Sequence, residues 1–155
     1  MKYTVVELIL IAGLGTALCA QTKPNFSGVW KLDVLRSRID PKSDIKAETM
    51  KIEHAEPKLK IEMDAELKNG KRDYVVDLQT DGAESQTTME GQSCKAVARW
   101  GTRTGERLIL EITCPNGLVS TREMKLGSKD KMLTTTLVIK DARGKRKSYE
   151  FFTKE

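Results

Sequence analysis

The chain has 155 residues, 32% of them charged and only 5% aromatic, with a formal net charge of +5. Its basic residues are dispersed and mostly alternate with apolar ones, the pattern of a solvated outer face, which argues against a nucleic-acid-binding surface. Three cysteines and a single histidine offer no spaced set of metal ligands.

Residues 1–20 read as a secretory signal peptide. Lys2 supplies a positive start, and Leu8 to Ala20 is an apolar run ending in small residues, although Glu7 sits at its edge. Cleavage after Cys19 or after Ala20 fits, whereas Thr16-Ala17-Leu18-Cys19 is a poor lipoprotein box. No later stretch approaches the roughly 20 apolar residues of a membrane-spanning helix. Residues 21–155 then suit one domain with one core, exported to a periplasm or to the outside.

Period-two alternation dominates this domain, so its elements are expected to be strands. The first spans Gly28 to Leu35, with Trp30, Leu32 and Val34 on one face. Arg36 to Lys46 lacks a strand pattern and is expected to hold a short helical turn capping one end. Ala47 to His54 forms the second strand, with Met50 and Ile52 facing in. Next, Leu59, Ile61, Met63, Ala65 and Leu67 alternate with Lys58, Lys60, Glu62, Asp64 and Glu66, a half-buried strand. Asn69-Gly70 follows, a strong hairpin signal. Folding about it sets Ala65 opposite Tyr74, Met63 opposite Val76 and Ile61 opposite Leu78.

A short strand is expected near Gln86 to Met89. A turn centred near Thr104 then sets Trp100 opposite Leu108, Ala98 opposite Leu110 and Ala96 opposite Ile112. The next pair on that face is Cys94 with Cys114, close enough across two antiparallel strands for a disulfide, which an exported chain would retain. Pro115-Asn116-Gly117 turns the chain into Leu118 to Leu126. Lys131 to Lys140 and Arg146 to Thr153 complete the series across Asp141 to Lys145. The dense basic run Arg143-Gly144-Lys145-Arg146-Lys147 is expected to be solvated. The whole predicts an all-β fold, an antiparallel up-and-down barrel of eight to ten strands, because closure removes the free edges of a meander.

With these elements in place, the chain resembles small exported bacterial proteins with a lipocalin-like domain. The resemblance rests on Phe26-Ser27-Gly28-Val29-Trp30-Lys31-Leu32, Arg36-Ser37, Asp81-Gly82, Ser120-Thr121-Arg122 and the aromatic last strand Tyr149 to Phe152. It covers nearly the whole domain, but each motif is short, and the cysteine pair is not general in that group. It implies a fold and a binding role rather than an activity.

Arg122 is the sharpest candidate ligand contact. It shares a face with Leu118, Ser120, Met124 and Leu126, so it points inward unless the register slips by one. A buried guanidinium must be satisfied by a ligand carboxylate, an internal acid or an aromatic ring, and the sequence leaves these open. Tyr74 and Trp100 lie on inward faces as core or cavity lining, and Trp30 is expected to plug the barrel base. His54 is expected to be exposed at a strand end beside Glu53 and Glu56.

No nucleophile elbow, phosphate loop or redox Cys-x-x-Cys is present, so no catalytic residues, metal or cofactor are expected. The reading reached is a non-catalytic exported barrel binding a small apolar or amphipathic molecule, an acidic lipid if Arg122 faces a cavity. The alternative is a filled barrel acting as an interaction module of the cell envelope, its protein partner open. An interior in which an acid clustered with Arg122 and Tyr74 would reopen a catalytic reading.

Overall fold

The computed structural model describes residues 23–101 and 105–155. The expected signal peptide and the turn tip at residues 102–104 lie outside the described residues. Ten antiparallel strands follow one another: β1 Gly28–Leu32, β2 Ile45–Ala55, β3 Lys58–Leu67, β4 Gly70–Gln79, β5 Asp81–Met89, β6 Gln92–Trp100, β7 Arg107–Thr113, β8 Val119–Leu126, β9 Met132–Asp141 and β10 Gly144–Lys154. Their order in the sheet is β4-β3-β2-β1-β10-β9-β8-β7-β6-β5. Every sequential neighbour except β4 and β5 therefore pairs, and the meander is drawn round by β1 pairing with β10 through Trp30↔Lys154 and Leu32↔Phe152. One seam remains, between β4 and β5, crossed by the Thr87 hydroxyl donating to the Val75 carbonyl at 2.8 Å.

The expected β6–β7 register holds residue for residue: Trp100↔Leu108, Ala98↔Leu110, Ala96↔Ile112. One step further Cys94 and Cys114 are joined by a disulfide, with Cα atoms 4.3 Å apart. The bond links residues 20 apart in sequence, and chain-entropy arguments assign such a loop about 3 kcal/mol of stability. Urea unfolding of the C94A/C114A double variant should reveal a loss of that size; a loss under about 1 kcal/mol would show that the unfolded chain is not constrained by the bond.

Three expectations are corrected. The β3–β4 hairpin pairs Leu67 with Gly70, Met63 with Tyr74, Ile61 with Val76 and Leu59 with Leu78, two residues away from the expected register. Lys68-Asn69 forms the tight turn, held by the Lys68 N–H donating to the Asp44 carbonyl at 2.8 Å, while Gly70 enters the ladder. A slip of two leaves every side chain on its face, which is why hydrophobic matching alone did not detect it. The first strand stops at Leu32 rather than Leu35, so Val34 is exposed instead of sharing the inward face of Trp30 and Leu32. Arg36 to Lys46 holds no helix: Ser37 bonds back to the Asp33 carbonyl through its N–H and its hydroxyl, and Arg38 then bridges to Tyr149. The only helical element among the described residues is the 3-10 turn Ser128–Asp130.

The inward faces build one core around Trp30, Phe26, Phe152, Met50, Leu59, Ile61, Leu108, Met124 and Leu133, all essentially unexposed. Trp30 fills the base as expected, its indole N–H donating to the Phe26 carbonyl at 2.8 Å. Gly28 needs to be glycine: its φ of +146° is one that L side chains rarely adopt. A Cβ there would also meet the Lys154 side chain, which lies over the Trp30 ring with its ammonium 5.2 Å from the centroid. The Gly-x-Trp segment is thus a packing device.

Candidate functional site

Strand alternation decides what enters the barrel. On β2 the buried residues are Glu48, Met50, Ile52 and His54; on β10 they are Arg146, Ser148, Glu150 and Phe152. On β8 they are Arg122 and Met124, and on β9 Thr135 lies opposite Glu150. Arg122 therefore does face inward, at 3% exposure, and it meets acids that the sequence reading had not placed there. Its Nη1 lies 2.8 Å from Glu48 Oε1 and 3.3 Å from Glu150 Oε2. The Thr135 hydroxyl donates to Glu150 Oε2 at 2.7 Å, and the Phe152 ring lies 5.9 Å from the guanidinium carbon.

This cluster sets two carboxyl groups against one guanidinium and is incompletely paired in hydrogen bonds. Arg122 Nη1 and Glu48 Oε1, 2.8 Å apart, form an ion pair, whereas Arg122 Nε and Glu150 Oε1 have no hydrogen-bond partner. The guanidinium points at two methionine sulfurs, Met50 Sδ at 3.3 Å and Met63 Sδ at 3.9 Å, which are weak acceptors. Burial works against the charge of Arg122, but Glu48 and Glu150 outweigh it and hold its pKa above the ordinary value. Burial also dominates at Glu150, raising its pKa against the pull of Arg122, and it raises the Tyr74 phenol to about 12.

The cluster lies under a cavity of about 30 Å³. Glu48, Arg72, Tyr74, Glu90, Ser120 and Arg122 supply its polar lining; Met63, Met89, Leu137 and Ile139 are among its apolar walls. Glu150 is not among the lining residues and stands behind Arg122. Tyr74 also borders a shallow groove of about 650 Å³ outside the β4–β5 seam, with Val75, Gln86 and Thr87. It thus separates inside from outside at the one place where no ladder joins the strands. Arg72 and Glu90, 3.1 Å apart, span the same seam beside the cavity.

The opposite end is sealed. His54 is buried, contrary to the expectation of an exposed residue, because it continues the inward face of Met50 and Ile52. Both ring nitrogens are used: Nδ1 accepts from the Phe26 N–H at 3.2 Å, which leaves Nε2 to donate to Glu56 Oε1 at 2.8 Å. Glu56 Oε1 also accepts from the Thr80 hydroxyl and the Trp100 indole. Burial would raise the Glu56 pKa, but these three donors together pull it below the usual carboxylate value. Trp100 packs 6.0 Å from both the Phe26 and His54 rings, with the Lys23 ammonium 4.8 Å from its centroid.

Of the candidate ligand contacts, Arg122 and Tyr74 are brought together at the cavity, while Trp30 and Trp100 are not among its lining residues. The basic run is only partly solvated: Arg146 is buried and pairs with Asp141 at 2.7 Å. Glu48 and Glu150 were legible in principle, since counting back by two from Met50 and from Phe152 reaches them. The interior thus holds two acids beside the apolar residues expected on these faces. No grouping of three or more histidine, cysteine or acidic side chains able to hold a metal occurs among the described residues.

No protein family and no curated protein matches the sequence. Solved structures do match. The zebrafish ileal bile acid-binding protein, complexed with cholic acid, superposes with a TM-score of 0.57 at 14% identity, over 84% of this chain and 98% of its own. The Schistosoma mansoni fatty acid binding protein, in complex with arachidonic acid, gives 0.57 at 14% identity, over 84% and 96%. At this identity the likeness establishes a shared architecture alone: the chain is an antiparallel, lipocalin-like β-barrel.

Proposed function

We propose that this protein is an exported, non-catalytic barrel that takes a small apolar or amphipathic molecule, its polar end toward Glu48 and Arg122 and its apolar part along Met63, Met89 and Leu137. The observation that carries this reading is a buried ion pair, Glu48 and Arg122, on the lining of an internal cavity with apolar walls, with Arg122 Nε and the adjoining Glu150 Oε1 left without hydrogen-bond partners. A fully structural ion cluster would be expected to satisfy its own acceptors. The cavity is well below the roughly 300 Å³ of an ordinary ligand pocket, so uptake requires it to widen. The β4–β5 seam is the place for that, because parting these strands breaks no ladder and Tyr74 and Glu90 border both cavity and groove. The bound bile acid and fatty acid of the two similar structures are consistent with such uptake.

The acid, arginine and tyrosine now found together are a set that catalysis could use. Glu150, the carboxyl raised in pKa, is not among the cavity-lining residues, which favours a binding role. The small cavity favours the second reading, a filled barrel that works through its outer surface.

Methyl NMR separates the two. Titration with dodecanol should move the Met63 and Met89 methyls saturably and leave Met132, outside the cavity lining, unmoved. Unchanged Met63 and Met89 signals across dodecanol, fatty acids and bile acids would sink the ligand reading in favour of the filled module. Amino-terminal sequencing of material secreted by the host cell should begin at Ala20 or Gln21.

A further inference from the structure

Resting on that reading, we infer that the polar end of the ligand is a primary ammonium rather than a carboxylate. Two carboxyl groups, Glu48 and Glu150, face one guanidinium in a site at most 3% exposed, so the cluster holds one more acid than base; burial favours the protonated form of Glu150, and an arriving cation would let that proton go to solvent. A ligand carboxylate would add a third acid around Arg122, and Arg72, the other cation on the cavity lining, is already paired with Glu90. An ammonium brings the sum to zero, and buried charges persist when they are paired.

Hydrogen bonding points the same way. On the cavity lining Glu48 presents a carboxylate, whose two oxygens have lone pairs beyond the one that meets Arg122. An ammonium has three donors and no acceptor. The Ser120 and Tyr74 hydroxyls on the same lining can accept as well. A primary ammonium brings N–H donors to these oxygens, whereas a trimethylammonium brings none. The protein's net charge of +5 attracts anions at long range, so a preference for a cation has to originate in the site itself.

The test compares four C12 amphiphiles below their micellar concentrations at pH 7, read by the Met63 and Met89 methyl resonances. Dodecylammonium should bind at least tenfold more tightly than dodecanoate and than dodecyltrimethylammonium, with dodecanol between. In an E48Q/E150Q variant the ammonium should lose that advantage over dodecanoate by a factor of ten or more. If this variant fails to fold, the ranking in the unaltered protein decides alone. Dodecanoate binding as tightly as dodecylammonium, or the quaternary amine matching the primary one, would overturn the inference while leaving the ligand-binding reading intact. Binding of none of the four would overturn both.

Discussion

Replacing Arg122 with leucine should cost about 3–5 kcal/mol at pH 7, because it leaves Glu48 and Glu150 buried without a counter-charge. The size of the loss follows from removing one partner rather than from the worth of the cluster as a whole. The triple variant E48Q/R122L/E150Q should therefore recover most of it, since no net buried charge remains. Urea unfolding of both variants checks the pair; an R122L loss under about 1 kcal/mol would mean that solvent reaches the cluster.

The pH dependence should follow from the same charges. In the unaltered protein the Glu150 carboxyl has a raised pKa, so its contribution is fully present below the ordinary carboxylate range and is lost as pH rises through the raised value. Arg122 pulls the Glu150 pKa down, so without it Glu150 holds its proton more tightly and the R122L deficit should shrink as pH is lowered from 7 toward 5. Asp141 works in the other direction. The Arg146 hydrogen bond lowers its pKa to about 2, so its contribution is present above the ordinary value of 3.8 and lost only as pH falls toward 2.

Trp30→Ala is the second large effect, an expected loss of about 3–5 kcal/mol, since the side chain is fully buried at the barrel base and its removal leaves a cavity that the ladder on either side cannot collapse into. Part of the cost is polar: the Phe26 carbonyl loses the indole N–H that it accepts at 2.8 Å. Trp30→Phe removes that bond while keeping most of the volume, and the bond accounts for about 1 kcal/mol. Thermal and urea unfolding of the two variants should therefore differ by at least 2 kcal/mol, roughly the cavity contribution left over. If Trp30→Ala costs no more than Trp30→Phe, the base is loosely packed and the role assigned to this segment fails.

Much of the fold was legible because strand pairing has a period of two. The β6–β7 register came out correctly from apolar matching, and the cysteine pair followed from it one step along the same face. The same rule is blind to a slip of two, and the β3–β4 hairpin turned at Lys68-Asn69 instead of Asn69-Gly70. At the site, Arg122 was identified as inward-facing while its partners were not, because Glu48 and Glu150 lie on different strands, 102 positions apart, and each alone reads as a solvated acid. His54 was misread for a related reason: a lone histidine near a strand end looks exposed until the Phe26 N–H and Glu56 are known to converge on it.

The sequence by itself determined the all-β class, the up-and-down meander and which side of each strand is apolar, since these depend on neighbours one or two residues away. Only the tertiary structure decided that β1 closes on β10, that the seam falls at β4–β5, and that one guanidinium meets two carboxylates beneath a small cavity. Closure superimposes strands that are distant in the chain, and the charge balance of a barrel interior is a sum over all of them.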